Sequence, residues 1–376
     1  MIGYTSEQFN LLYLLIFNNF LLSFILYLRS NISGLHLFKT DSILSVLDRL
    51  LMILICSVLL WGKITDTPLQ LKWFIYAQTV SYVITLVIAF GIVFYHSGKI
   101  RFRINLNYWL KILKGSLPFA VLILLMSFFN RIDSVMIERI LADGKEQAGI
   151  YAQSFRILDA ASMFAFLFAA LLLPMFSRMI KNNEAIGQLL RLSFSLLIIP
   201  ALIIVVISSF YGQEIISILY NEYTSASSRI YTRLIFTFIF ISITYIFGSL
   251  LTANGNLRQL NILAGITVFI NVLLNFNLIP LFKAEGAVYA SLASQGFFAF
   301  SQIILSKRIF KLEINYSLIF KYLIFILVMI LTGFFFERMG IFWIYGLFSL
   351  LILGIFYSLL LRILKPEILS YFNPGY

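Results

Sequence analysis

Two runs of the sequence carry ionisable and amide side chains where apolar residues dominate on either side. In the first, Ser127, Arg131, Ser134 and Glu138 share one face of a helix at about 100° per residue, and Asn130 and Asp133 widen it. In the second, Gln153, Arg156 and Asp159 recur at i, i+3 and i+6 as a single stripe. Both runs lie in segments long enough to cross a bilayer, where a central charge costs about 2.5–3.5 kcal/mol on insertion scales. These groups must therefore face protein or water. The chemistry open to them is the lining of a polar cavity, with Asp133 as a proton-coupling carboxylate. The structural alternatives are a snorkelling interfacial cluster around Asp133 and an Asp159 that merely neutralises Arg156 one turn earlier. Arg49, beside Asp48, poses the same choice between cavity lining and snorkelling. Asn271 and Asn275 form an i, i+4 pair, and Ser291, Ser294 and Gln295 follow on the next apolar segment. Hydrogen bonding between helices, about 0.6–2 kcal/mol each, is the commoner use of such residues.

The elements that position these groups follow from composition. The chain is 61% apolar and 12% charged with a mean hydropathy of +0.96, against about 25% charged in soluble domains. The apolar residues come in blocks of about 20, enough to span about 30 Å of hydrocarbon as helix. They lack the alternation of an outer-membrane barrel. The sequence therefore predicts an all-α polytopic membrane protein of about 11 transmembrane helices. The spans fall near 10–28, 43–61, 73–95, 117–138, 148–173, 189–211, 230–251, 259–280, 285–306, 317–336 and 341–361. Cys56 is the only cysteine, and His36 and His96 are the only histidines, both in loops. These residues provide no disulfide or metal site, and no cofactor is expected. Pro118, Pro174, Pro200 and Pro280 stand in or at the ends of spans, where they permit kinks.

The charge distribution sets the expected orientation. Of the 28 Lys and Arg residues, 16 fall in one set of alternate loops, including Arg29, Lys39, Lys99, Arg101, Arg103, Lys111, Lys114, Lys307, Arg308 and Lys311, and only seven in the other. The positive-inside rule places the richer set and the C-terminus in the cytoplasm, and the odd span count then places the N-terminus outside. On this orientation Asp133 lies about 24 Å along its helix towards the outer mouth, and Arg156 and Asp159 about 12 and 16 Å deep. The basic stretch 97–116, with Tyr108 and Trp109, reads as an amphipathic cytoplasmic linker suited to anionic lipid headgroups. Its position divides the chain into 1–96 with three spans, the linker 97–116, 117–308 with six spans, and 309–376 with a further pair and a cytoplasmic tail.

Two passages resemble a known family. Phe128-Phe129-Asn130-Arg131-Ile132-Asp133-Ser134, followed by Gly149-Ile150-Tyr151-Ala152-Gln153, is similar to the seventh-to-eighth helix region of the polysaccharide transporter (Wzx-type) flippases. Asn271-Val272-Leu273-Leu274-Asn275 through Pro280, then Gly286-Ala287, resembles that family's passage between its eleventh and twelfth helices. The resemblance implies a two-lobe bundle like that of the multidrug and lipid exporters. Here the first lobe would be incomplete, lacking the family's first three helices. It implies export of an undecaprenyl-diphosphate-linked oligosaccharide across the bacterial inner membrane for O-antigen, capsule or exopolysaccharide synthesis. In that setting Arg49, Arg131 and Arg156, with Asn130, Gln153, Asn271 and Asn275, are the expected cavity lining, since a guanidinium forks onto phosphate. Asp133 and Asp159 are the expected coupling carboxylates. The partners implied are the lipid-linked glycan, anionic lipids, and a missing N-terminal fragment or other glycan-assembly membrane proteins, with no nucleic acid. The Tyr76-Ala77-Gln78 and Tyr289-Ala290-Ser291 triplets stand at comparable places in two spans, a weak sign of an internal repeat.

A cation-coupled drug exporter of the same superfamily would favour an acidic cavity, which three arginines oppose. A membrane glycan-assembly enzyme would need a positioned acid or base, commonly on a large loop or metal site, and neither is present in the sequence. A non-transporting scaffold is the remaining alternative.

Overall fold

The computed structural model describes residues 6–35, 37–61, 71–96, 105–312 and 315–364. His36, Lys63, Lys99, Arg101, Arg103 and Lys365 lie outside the described residues. The elements are α1 (Ser6–Gly34), α2 (Phe38–Trp61), α3 (Leu71–His96), α4 (Leu106–Ile140), α5 (Gly144–Lys181), α6 (Gly187–Leu219), α7 (Thr224–Leu234), α8 (Thr237–Ala253), α9 (Leu257–Phe282), α10 (Ala284–Phe310), α11 (Tyr316–Arg338) and α12 (Trp343–Leu360). Among the described residues, eleven helical segments are long and apolar enough to cross a membrane, α7 and α8 together forming one of them. The predicted fold class and span number hold.

The chain divides into two compact units, 1–105 and 106–376. In the first, α1 and α2 each pack on α3. Its core is small: Leu28, Ile32, Leu44 and Ala89. Arg29 and Asp41 form an ion pair at 2.8 Å that ties α1 to the start of α2. Deeper in, Asn18 donates to Gln78 at 3.3 Å and Gln78 to Tyr82 at 3.2 Å, a polar seam between α1 and α3.

The second unit holds α4–α12. Its interior is built around α6, whose long apolar middle is buried on most sides, as a helix stretch hydrophobic all round must be. α6 bends at Tyr211 (φ −119°, ψ 22°). At that bend Phe210 packs onto Gly333 of α11 and Tyr211 onto Gly346 of α12, so two glycine notches seat the final helix pair. The seventh span breaks at Ile235–Phe236, where bonds tighten to i→i+3: Phe236 N donates to Arg233 O at 3.3 Å and Phe238 N to Ile235 O at 3.0 Å. Thr237 Oγ1 donates to the Leu234 carbonyl at 2.6 Å, satisfying backbone that the break frees.

Two helices run well past the predicted spans. α4 has 35 residues and α5 has 38, about 52 and 57 Å of helix. Residues 106–116, expected as the second half of a linker, are the first three turns of α4. They are exposed throughout.

Candidate functional site

Four helices of the second unit, α4, α5, α9 and α10, arrive as two hairpins with short turns. A Cβ on Gly144 would strike the Glu138 carbonyl, and one on Gly286 the Leu278 carbonyl, so each hairpin closes only because glycine stands there. Lys283 alone joins α9 to α10, with φ +55°, a region bulky residues rarely enter. Its Nζ lies 2.8 Å from Asp143, in the turn of the other hairpin. This bond holds the Asp143 carboxyl below the usual carboxylate range and lifts the Lys283 ammonium above its ordinary value. Beside it, Glu285 of α10 pairs with Arg233 of α7 and lies 3.6 Å from Arg229.

About eight to ten residues from these turns, roughly 12–15 Å along the helices, the hairpins converge on Asp133. The residue is 3% exposed. Oδ2 accepts from Tyr151 OH of α5 at 2.9 Å and from Ser291 Oγ of α10. Oδ1 accepts from Asn275 Nδ2 of α9 at 2.7 Å. Asn275 Nδ2 also donates to Asn271 at 3.1 Å, and Asn271 Nδ2 to Ser294 at 3.4 Å. Three donors converge on this one carboxyl group, so burial leaves neither of its oxygens unpartnered.

The expected site residues thus separate into three groups. Asp133, expected at a polar rim, is buried inside the unit. Asn271 and Asn275, expected to line a cavity, are fully buried and belong to its cage. Gln153 is half-buried and accepts from Ser227 Oγ at 2.5 Å, while Ser154 donates to the Ser227 carbonyl at 2.8 Å, so this part of the stripe docks α5 on α7. Asn130, Arg131, Arg156, Asp159 and, in the first unit, Arg49 are exposed. Arg131 lies over the Phe155 ring at 5.9 Å. Among the described residues Arg156 and Asp159 form no ion pair.

Tyr151 was missed from the sequence, although a signal existed. Tyr151-Ala152-Gln153 is a third copy of the triplet seen at Tyr76 and Tyr289. In all three the last residue makes an interhelical bond: Gln78 to Asn18, Gln153 to Ser227 and Ser291 to Asp133. The Asp143–Lys283 pair had no such signal, because it joins turns 140 residues apart.

Among the described residues, eleven apolar spans, four of them closed as two hairpins around a buried polar cage, define a multi-pass helical membrane protein with the fold of a lipid flippase. It superimposes on the lipid II flippase MurJ in an inward closed conformation with a TM-score of 0.68 at 15% identity, covering 94% of this chain and 73% of that one. The sequence has two partial matches of its own. Residues 3–180 match the family model described as "Polysaccharide biosynthesis protein". The chain is 24% identical over 218 residues to the capsular polysaccharide biosynthesis protein CapF of Staphylococcus aureus, over 57% of this chain and 54% of CapF. The chain spans about half the length of that curated relative. Both sequence matches agree with the resemblance of the two motifs to the polysaccharide transporter family.

Proposed function

We propose that this chain serves to move an undecaprenyl-diphosphate-linked oligosaccharide across the bacterial inner membrane for surface polysaccharide synthesis. The observation that carries the reading is the exposed pair Arg131 and Arg156, on spans α4 and α5, neither in an ion pair among the described residues. Charges inside a span avoid lipid, so this face borders a hydrated path. Guanidiniums suit a diphosphate because they fork onto its oxygens. Asn130 adds an amide beside Arg131 for sugar hydroxyls. Asp159 and the caged Asp133 are the carboxylates that exchange protons or ions to drive the return. Capsule is the pathway named in the CapF relative, and it is the first glycan class to test.

The exposed first turns of α4 bring Lys111 and Lys114 together with Tyr108 and Trp109, which suits anionic lipid headgroups at the cytoplasmic surface. In this reading the N-terminus lies outside and the C-terminus inside.

The test is equilibrium binding to the purified protein in lipid nanodiscs. An undecaprenyl-diphosphate oligosaccharide is compared with undecaprenol, its uncharged lipid. Loss of a charge-assisted bond worth about 1.5–3 kcal/mol predicts that Arg156→Ala weakens binding of the diphosphate about 10- to 100-fold. Undecaprenol binding should stay unchanged, and Arg156→Lys should recover only part of the loss. Equal affinity of wild type and Arg156→Ala for the diphosphate would refute the assignment.

A further inference from the structure

α10 carries a buried polar stripe that the cage around Asp133 uses only at one end. Ser291, Gln295, Gln302 and Ser306 fall on one face of the helix, and all four are buried. Ser291 bonds Asp133. At the other end, Gln302 is fully buried with neither Nε2 nor Oε1 partnered, and Ser306 Oγ, one turn on, is also buried and unpartnered. Leaving such an atom unmet costs about 1–3 kcal/mol, and buried water is the usual remedy where several converge.

The neighbouring helix is shaped to the same seam. Phe240 of α8 faces Gly296 of α10, its ring 3.5 Å from where a Cβ would stand. Gly248, eight residues on, faces Gln302, with a Cβ position only 3.2 Å from Oε1. Thr244 is four residues from each and therefore shares their face; its Oγ1 is buried and unpartnered as well. Thr244 thus supplies a polar group across from the apolar interval at Phe298 and Ala299, between Gln295 and Gln302. Among the nine unpartnered buried side-chain atoms of the described residues, four belong to Thr244, Gln302 and Ser306. That concentration singles out one helix interface rather than scattered defects.

We propose that the α8–α10 seam holds internal water, and that this water carries protons between Asp133 and the Lys307/Arg308 end of α10. The seam covers about 22 Å of helix from Ser291 to Ser306, most of a hydrocarbon thickness. Each transfer moves a proton from one water or hydroxyl to the next, and protonation of Asp133 leaves the chain of donors and acceptors intact. The proposal rests on the reading of Asp133 as a coupling carboxylate, and the experiment separates the two.

Radiolytic hydroxyl labelling of the purified protein in nanodiscs reports bound water beside a buried ring. Phe298, one turn from Gln302, should label well above Phe238, which is equally buried but two residues from Phe240 and so on the opposite side of α8. Gln302→Met keeps length and volume while removing both unmet atoms, so the fold should survive and Phe298 labelling should fall to the Phe238 level. Ser306→Ala provides a second, milder loss. Hydrogen–deuterium exchange of the protonated Asp133 carboxyl, followed by infrared spectroscopy and assigned with Asp133→Asn, should be slowed by Gln302→Met. Wild-type Phe298 labelling no stronger than Phe238 would show the seam to be dry and overturn the proposal. So would carboxyl exchange that is equally fast in Gln302→Met. A labelled seam with no titrating Asp133 band would refute the coupling role of Asp133 and with it the proton path, while leaving the water in place.

Discussion

Replacing Asp133 in two ways separates what its cage does for the fold from what its charge does. Asp133→Ala deprives Tyr151, Ser291 and Asn275 of their common acceptor in a site that water does not reach freely. Each stranded donor costs about 1–3 kcal/mol. The two hydroxyls can rotate towards other acceptors, whereas the Asn275 amide is also fixed by Asn271, so the sum falls at about 3–6 kcal/mol. Asp133→Asn behaves differently. Its carbonyl can accept from Asn275 while its NH2 donates to hydroxyls that turn to receive it, leaving every group partnered at a cost of about 1 kcal/mol or less. Thermal unfolding of the purified variants in one detergent gives the ordering, with intrinsic fluorescence as the readout. Asp133→Asn should unfold close to wild type and Asp133→Ala far below both. If the Ala variant unfolds with wild type, the cage contributes nothing to stability and the bond count was misapplied. If Asn is as damaging as Ala, the charge itself holds the helices.

Gly286→Ala should destabilise the second unit more than Gly346→Ala, because its new methyl meets the backbone of Leu278 rather than the movable end of Tyr211; overpacking of this kind costs about 1–3 kcal/mol, read in the same unfolding assay. The Asp143–Lys283 pair gives stability a defined pH window. A carboxyl held below its usual value contributes above the unfolded pKa of about 3.9 and loses that contribution as pH falls through its lowered value; the raised Lys283 contributes below about 10.4 and loses it as pH rises through its raised value. Asp143→Asn should abolish the pair's share of the acid-side loss and leave neutral-pH stability reduced, as a pH series of unfolding temperatures would reveal. Reporter fusions at Lys311 should read cytoplasmic and those at Lys145 and Glu222 external; the reverse pattern would overturn the charge-based orientation.

Element number and type were legible because apolar blocks of spanning length are a local property of the chain. Their ends were less so. α4 begins at Leu106, ahead of the predicted 117, because Lys111 and Lys114 interrupt hydropathy without interrupting the helix. The break at Ile235–Phe236 could not be foreseen, since neither glycine nor proline marks it. The candidate residues divided along the same line. The Arg156 and Asp159 spacing suggested a local pair that does not form. The partners of Asp133 come from 18, 142 and 158 residues away, and helix periodicity within one span contains no information about them. The Asn271 and Asn275 spacing did show a shared face, but not which helix that face meets.

Those separations also impose an order on how the protein is made. Asp133 leaves the ribosome long before Ser291, and at about 5–20 residues per second the interval is roughly 8–30 s. During that time its carboxylate has Tyr151, only 18 residues behind, as the first of its three partners to be synthesised. The α4–α5 hairpin therefore enters the membrane with an incompletely satisfied acid, and the second hairpin completes it only after α9 and α10 have been threaded in. Nascent second units that end before Ser291 are the species that membrane quality control should meet with an incompletely partnered carboxyl.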